Sequence, residues 1–245
     1  MLVFILKATL AHLIADFVLQ PKKWVEGRCN NLYKSKYLYL HTLCHLVLLT
    51  LFFYNSLRDY WLGIMAITCS HFVFDLTKSY FDKRYNELLL FSVDQTLHIS
   101  IIALTAHCYF SSNSDVLLSA FSTPDALSIL IALLLLAPVS LIFIKLFFQK
   151  WDISFVEKNR HEPESLKDAG KIIGIIERML IVIFIVAEIY EGIGFLLAAK
   201  SIFRFGDLTN EKDKKLTEYI LLGTLISFTL GILIGFGLKY ALHNF

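Results

Sequence analysis

Long apolar runs, separated by short polar segments, are the feature that most constrains what this chain can fold into. Several runs reach the roughly 18–20 residues that an α-helix needs to cross a bilayer core of about 30 Å. Apolar residues make up 56% of the chain and its mean hydropathy is +0.62, whereas soluble domains are about 45–50% apolar. The sequence therefore predicts an all-α polytopic membrane protein with six or seven transmembrane helices, over residues 2–19, 37–54, 60–80, 88–110, 125–148, 171–203 and 217–241.

Hydropathy divides these predicted helices into four regions. The first four helices form a membrane bundle over residues 1–110, and a connecting transmembrane helix lies within 111–148. Residues 149–170 are the longest polar stretch, which predicts a cytoplasmic linker. The C-terminal membrane helices then occupy residues 171–245.

The distribution of lysine and arginine predicts the orientation, because basic loops stay on the cytoplasmic side of a membrane. The basic segments are 20–36, 78–87 and 145–171. Residues 200–216 are basic as well, and one spanning helix over 171–203 would place them on the opposite side. We therefore expect Gly192 and Gly194 to break that helix into a re-entrant pair, since each half is too short to span.

Ionisable residues recur inside the first four predicted helices, although such residues are rare in membranes and mark functional sites. Each helix carries two of them, four residues apart, so both side chains project from one face of the helix. The four pairs are His12/Asp16, His41/His45, His71/Asp75 and Asp94/His98. Their uniform spacing predicts a cluster of side chains that point towards a common axis.

The residue types of this cluster predict a divalent metal site. Histidine nitrogen and carboxylate oxygen are the ligands of Zn²⁺ and related ions, so Zn²⁺ is the expected metal. Eight donors exceed the four to six that one ion takes, which predicts either two ions or one ion with residues that orient its ligands. Two alternatives use the same residues: a proton-relay or ion-permeation path, and polar contacts that only link the helices.

Short motifs in the same helices resemble known families. "AHLIAD", "LHTLCH" and "SHFVFD" are similar to motifs of bacterial membrane-bound metal-dependent hydrolases of the YdjM type, over about residues 8–76. The chain lacks that family's Pro-Asp-x-Asp-His segment, and no arginine follows the first of its paired histidines. "AHLIADFVLQP", "YLYLHTLCH", "DQTLH" and "GKIIGIIERML" resemble, over nearly the whole chain, an uncharacterised family of bacterial polytopic membrane proteins. These resemblances imply a location in the bacterial inner membrane.

Together the cluster and the resemblance predict a membrane-embedded metal-dependent hydrolase. A bound divalent ion lowers the pKa of water to about 7 and polarises a carbonyl or phosphoryl oxygen. The expected metal ligands are His12, Asp16, His41, His45, His71, Asp75 and His98, with Asp94 as general base. The expected substrate is amphiphilic, a phospholipid or lipid-linked phosphate, whose anion would contact Lys78, Arg178, Lys200 and Arg204. Alternatively, the basic residues of the second half pair with Glu177, Glu188 and Glu218 and hold helices together.

Two other classes of function fit the same residues. A metal- or proton-coupled transporter would use the cluster as a transit site, and a scaffold or sensor would use it without catalysis. The lipid bilayer is the expected partner, whereas the net charge of +2 gives no basic excess that would indicate nucleic acid. Nothing in the sequence predicts an oligomeric state.

Overall fold

The computed structural model shows a helical protein made of two compact units, Met1–Leu134 and Leu135–Phe245. It describes residues 1–82, 84–110, 124–149, 169–202 and 211–244. The described residues form α-helices joined by short turns and contain no β-strand, which confirms the predicted all-α class. The predicted linker 149–170 lies almost wholly outside the described residues.

The first unit contains the four predicted helices that carry the His/Asp pairs. A short polar helix lies between the first and the second of these four helices. Its helices are α1 Leu2–Phe17, α2 Lys22–Asn31, α3 Lys36–Phe52, α4 Leu57–Phe81, α5 Glu87–Phe110 and α6 Pro124–Leu134. In this unit α1 contacts α3 and α5, and α4 contacts the same two helices, so the four form a closed ring. The polar helix α2 packs on α3 and α4, and α6 packs on α1.

One half of this ring is filled by apolar side chains. Phe4 of α1 packs against Phe53 at the end of α3, with ring centroids 4.9 Å apart, and against Tyr60 of α4 at 5.2 Å. Leu49, Ile64, Ile67, Ile102 and Ala106 complete this buried cluster. Since burying one such side chain contributes about 1.5–3 kcal/mol, this half of the ring is a stable closed core. The polar pairs lie in the other half.

The second unit is built around two packed helices. It contains a π-helical segment Leu135–Val139, α7 Ser140–Phe148, α8 Ala169–Val186, α9 Tyr190–Ile202 and α10 Glu211–Asn244. Helix α8 packs on both α9 and α10, and Ile181, Ile185 and Phe228 form the buried core between them. Gly231 and Gly235 of α10 allow close contact, because Cβ atoms there would lie 3.2 Å and 2.7 Å from side-chain atoms of Ile181 and Ile185.

Among the described residues, three to five helices are long and apolar enough to cross a membrane, fewer than the six or seven predicted for the chain. The three continuous candidates are Glu87–Phe110, Pro124–Phe148 and Glu218–His243. Two further candidates require bent pairs, α1 with α2 at 84° and α3 with α4 at 77°. Helices such as α1 and α3 have 16 and 17 residues, about 25 Å at 1.5 Å per residue, which is short of the bilayer core.

The segment 171–203 contains two helices, but their junction is not where the glycines lie. Helix α8 ends at Val186 and α9 begins at Tyr190, while Gly192 is inside α9. Glu188 takes the turn with φ of 63°, a left-handed conformation that costs energy for a residue with a Cβ atom. Its carboxylate accepts a hydrogen bond from Lys239 Nζ at 2.7 Å, a contact that compensates part of this cost.

Candidate metal centre

The ring of helices brings all four His/Asp pairs into one half of the first unit. The pairs lie towards the C-terminal ends of α1 and α4 and towards the N-terminal ends of α3 and α5. Spacing of four residues turns both members of each pair towards the centre of the ring. Seven of the eight side chains are buried and the Asp16 side chain is 10% exposed, with the buried set being His12, His41, His45, His71, Asp75, Asp94 and His98.

Asp16 lies at the centre of this cluster. Its Oδ1 atom is 2.9 Å from Nε2 of His45, 3.2 Å from Nε2 of His41 and 3.3 Å from Nε2 of His71. Its Oδ2 atom lies 3.9 Å from Nε2 of His12. Imidazole nitrogens from three helices, α1, α3 and α4, therefore surround the carboxylate of Asp16.

The two other carboxylates lie at the edges of the cluster, and each is paired with a cationic side chain. Asp75 accepts a buried ion pair from Arg28 and lies 3.4 Å from Nε2 of His41. Asp94 accepts a hydrogen bond from Lys78 Nζ at 2.7 Å. These two carboxylates thus differ electrostatically from Asp16, whose charge no lysine or arginine neutralises among the described residues.

The imidazole rings are packed against each other. The ring centroids of His45 and His71 lie 3.5 Å apart, and His71 stacks on His98 at 4.1 Å with an angle of 12°. His12 lies 4.8 Å from His98. Uncharged rings tolerate such packing, whereas protonated rings would repel each other in a medium of low dielectric constant. Neutral imidazole is also the form that binds metal ions.

Several buried polar atoms of the cluster make no hydrogen bond within the described part of the chain. They are both ring nitrogens of His41, Nδ1 of His71, Nε2 of His98 and Oδ1 of Asp94. Two of these nitrogens still lie near carboxylate oxygens without the alignment of a hydrogen bond, Nε2 of His41 at 3.2 Å from Asp16 and Nε2 of His98 at 3.3 Å from Asp94. Buried polar groups are hydrogen-bonded in the great majority of cases, because an unsatisfied one costs about 1–3 kcal/mol. Nitrogen and oxygen donors of this kind fit a divalent cation, which would satisfy them by coordination.

Within the part of the chain that the structure describes, three overlapping groups could hold a metal ion, and in each of them the ligand atoms lie within 4.8 Å of one another. The groups are His12/Asp16/His45/His71, His41/His71/Asp75 and Asp16/Asp94/His98. Only the first contains four donors, the number that Zn²⁺ takes in most protein sites. Asp16 belongs to two of the three groups, so an ion in either of those two lies close to its carboxylate.

Gln95 and Arg28 contact the cluster, and each bonds to a cluster residue that is distant in the sequence. Gln95 places Oε1 3.2 Å from Nε2 of His12, and its Nε2 atom donates to Asp94 at 3.2 Å. The position of Gln95 beside Asp94 in the sequence suggests such an orienting role. Arg28 is different, because it lies in a basic polar segment and its partner Asp75 is 47 residues away. The sequence gives only a weak indication of this role for Arg28: a basic residue in a polar segment that also contains Trp24 and Gly27.

The residues predicted to contact a substrate anion are found in different surroundings. Lys78 lies beside the cluster with 24% of its side chain exposed. In the second unit Lys200 donates to Glu177 at 2.6 Å, and Arg178 is buried among helices. Arg204 lies outside the described residues. Of the predicted anion-binding residues that the structure describes, Lys78 is therefore the one that lies at the His/Asp cluster.

The family of the chain follows from a comparison with family models. A model described as a protein of unknown function, DUF3307, matches residues 3–128, just over half of the chain. The chain belongs to this family, and the matched region includes every helix that contributes to the His/Asp cluster. No curated protein and no solved structure matches the chain.

Proposed function

We propose that the protein is a membrane-embedded, metal-dependent hydrolase with Zn²⁺ bound beside Asp16. The observation that carries this proposal is the Asp16 carboxylate, whose side chain is only 10% exposed and whose oxygens lie within 3.9 Å of imidazole nitrogens from its own helix and from two others. Histidine-rich sites with one carboxylate favour Zn²⁺ over Mg²⁺ or Ca²⁺, which prefer oxygen ligands. A divalent ion there would supply a nucleophile at neutral pH and polarise the substrate.

The position of the cluster favours catalysis over transport. The aromatic contacts of Phe4, Phe53 and Tyr60 close the other half of the ring, so the cluster lies nearer to one end of it. That end is nearest to the basic segments 20–36 and 78–87, which the positive-inside rule places in the cytoplasm. A site at one membrane face suits a substrate with a polar group at the interface and an apolar part in the lipid.

Within this proposal the chain supplies a base and a cation beside the ion. Asp94 acts as general base, because its carboxylate lies at the edge of the cluster, away from the histidines that surround Asp16. Lys78 has three N–H donors, of which Asp94 takes one, so the others remain for a phosphate oxygen of the substrate. A phospholipid or lipid-linked phosphate in the bacterial inner membrane is the substrate class that this arrangement suits.

The experiment that tests the function combines metal analysis with hydrolysis. Protein purified in detergent without chelator is expected to contain stoichiometric divalent metal and to hydrolyse phosphatidic acid or p-nitrophenyl phosphate. The substitution His45→Ala should remove the metal and the activity together. His107→Ala is the matched control, since His107 is exposed on the same helix as His98 but away from the cluster.

The possible results separate the three classes of function. Metal without hydrolysis of any phosphate or carboxylate ester, combined with metal uptake into proteoliposomes, would assign the protein to the transporters. Metal with neither hydrolysis nor uptake would favour a sensor. Folded wild-type protein without divalent metal would contradict the hydrolase proposal, because its nucleophile depends on the ion.

A further inference from the structure

Arg28 is a buried cation on the short polar helix α2, and it reaches into the His/Asp cluster. Only 4% of its side chain is exposed, and its Nη1 atom forms an ion pair with Oδ2 of Asp75 on α4. The helix is held in place at Gly27, where a Cβ atom would overlap the ring of Tyr37, and at Trp24, whose ring stacks on the same tyrosine. Arg28 is thus fixed by packing, and the ion pair belongs to the folded unit.

Charges in the cluster are distributed unevenly. Arg28 neutralises Asp75 and Lys78 neutralises Asp94, whereas Asp16 is surrounded by imidazole rings. Unpaired charge in the interior of a membrane protein is costly, so each buried carboxylate needs a counter-charge. The chain provides that charge for two of its three carboxylates and leaves the third for another cation.

We infer that the cluster is built for one divalent ion, held at Asp16 by His12, His45 and His71, with Arg28 and Lys78 acting as fixed counter-charges that exclude a second ion. This inference rests on the proposed metal site and settles how many ions it holds. Three carboxylates, two cationic side chains and one divalent ion leave one net positive charge. A second divalent ion would leave three, confined among buried rings.

The same contacts assign a role to the two outer carboxylates. Asp75 lies 3.7 Å from Nδ1 of His71, the nitrogen opposite the one that faces Asp16. Asp94 lies 3.3 Å from Nε2 of His98, whose ring stacks on His71. At 3.7 Å the Asp75 carboxylate makes no hydrogen bond to His71, so it acts on the ring through its charge, and less strongly than a hydrogen-bonded partner, whose loss costs 10- to 100-fold in metal affinity. Asp75 is therefore a positioning residue.

Binding stoichiometry tests this inference independently of activity. Metal-free protein in detergent is titrated with Zn²⁺, and bound metal is measured by elemental analysis after gel filtration. We expect one ion per wild-type chain and no stoichiometric ion in Asp16→Asn. Asp75→Asn should still bind one ion, with affinity reduced by less than about tenfold, because the contact to His71 is longer than a hydrogen bond.

A double substitution provides the sharper test. Removing both counter-charges in Arg28→Met/Lys78→Met frees two carboxylates, and capacity should rise from one ion to two at excess Zn²⁺ and pH 8. An unchanged gel-filtration profile and helical circular dichroism identify variants that are folded. A folded double variant that still binds one ion would overturn the counter-charge role of Arg28 and Lys78.

The remaining outcomes distinguish this inference from the proposed function. Two ions in the wild type would overturn the single-ion site, and a hydrolase with two ions would remain. One ion in a protein that hydrolyses nothing would overturn the hydrolase and leave the stoichiometry intact. Loss of all metal in Asp75→Asn, as complete as in Asp16→Asn, would make Asp75 a direct ligand and contradict its positioning role.

Discussion

Arg178 shows how a single buried residue holds the second unit together. It is the largest of the fully buried side chains, and its guanidinium contacts neutral groups of that unit. Nε donates to the Leu136 carbonyl at 2.8 Å, and Nη1 donates to Oγ of Ser227 at 2.9 Å. Leu136 lies in the π-helical segment around Pro138, where the regular helical hydrogen bonds are interrupted and carbonyl groups are available to other donors.

Replacement of Arg178 is expected to destabilise the protein. Arg178→Ala removes two hydrogen bonds from a charged donor, each contributing about 1.5–3 kcal/mol, and leaves a carbonyl group unsatisfied. The midpoint of thermal unfolding in detergent should fall by several degrees, measured by circular dichroism. Arg58→Ala is the control, because Arg58 is exposed at the start of α4. Equal midpoints for both variants would show that Arg178 has no structural role.

At the cluster, local sequence spacing predicts part of the site and long-range contacts supply the rest. The i,i+4 pairs predict which residues share a helix face, because that depends only on helical geometry. They do not predict that Asp16 lies at the centre, since this depends on how α3 and α4 pack around α1. Arg28 was missed for the same reason: its burial depends on the docking of α2 on α3 and α4.

Among the helices, α2 is the short polar element that reaches the cluster. It begins after Pro21 and carries Arg28 to Asp75. Its approach to α3 requires a residue without a Cβ atom at Gly27, because the Tyr37 ring occupies that space. The position of this helix therefore decides whether Arg28 can reach its partner.

Gly27→Ala is expected to displace α2 from α3. Overpacking of this kind costs about 1–3 kcal/mol, so α2 should open more often and its peptide bonds after Lys22 and Lys23 should be cleaved faster by trypsin. A second substitution, Tyr37→Ala, removes the ring and should restore resistance in the double variant. Gly194→Ala is the matched control, since a Cβ atom there meets nothing within 4 Å. Unchanged cleavage in Gly27→Ala would contradict the close packing of these helices.

Sequence patterns predict the apolar helices better than the polar ones. Helices α3 and α5 begin and end within a few residues of their predicted bounds, because apolar runs and flanking polar residues mark them. Helix α2 has no apolar run, and the sequence predicts only a basic segment there. The sequence predicts the break at Gly192 and Gly194, because glycine is the usual residue at such a turn, yet the chain turns at Glu188, whose carboxylate pairs with Lys239.

On the scale of the whole molecule, the number of membrane crossings depends on the bent pair of α3 and α4. The pair makes an angle of 77° and is either one broken span or two segments that meet at a membrane surface. Asn55, Arg58 and Asp59 lie exposed at the junction. A charged side chain at the centre of a bilayer costs about 2.5–3.5 kcal/mol, so these residues favour a junction that reaches water.

Labelling from each side of the membrane tests this topology. In a background with the four native cysteines replaced by serine, Lys34→Cys and Asn55→Cys place single thiols at opposite ends of α3, where both positions are exposed. An impermeant maleimide should label residue 34 in inverted inner-membrane vesicles and residue 55 in intact spheroplasts. Because the cluster lies towards the end of α3 nearest residue 34, this result places the site at the cytoplasmic face. Protection of residue 55 from both sides would instead make α3 and α4 one broken span, with a turn that stays inside the bilayer.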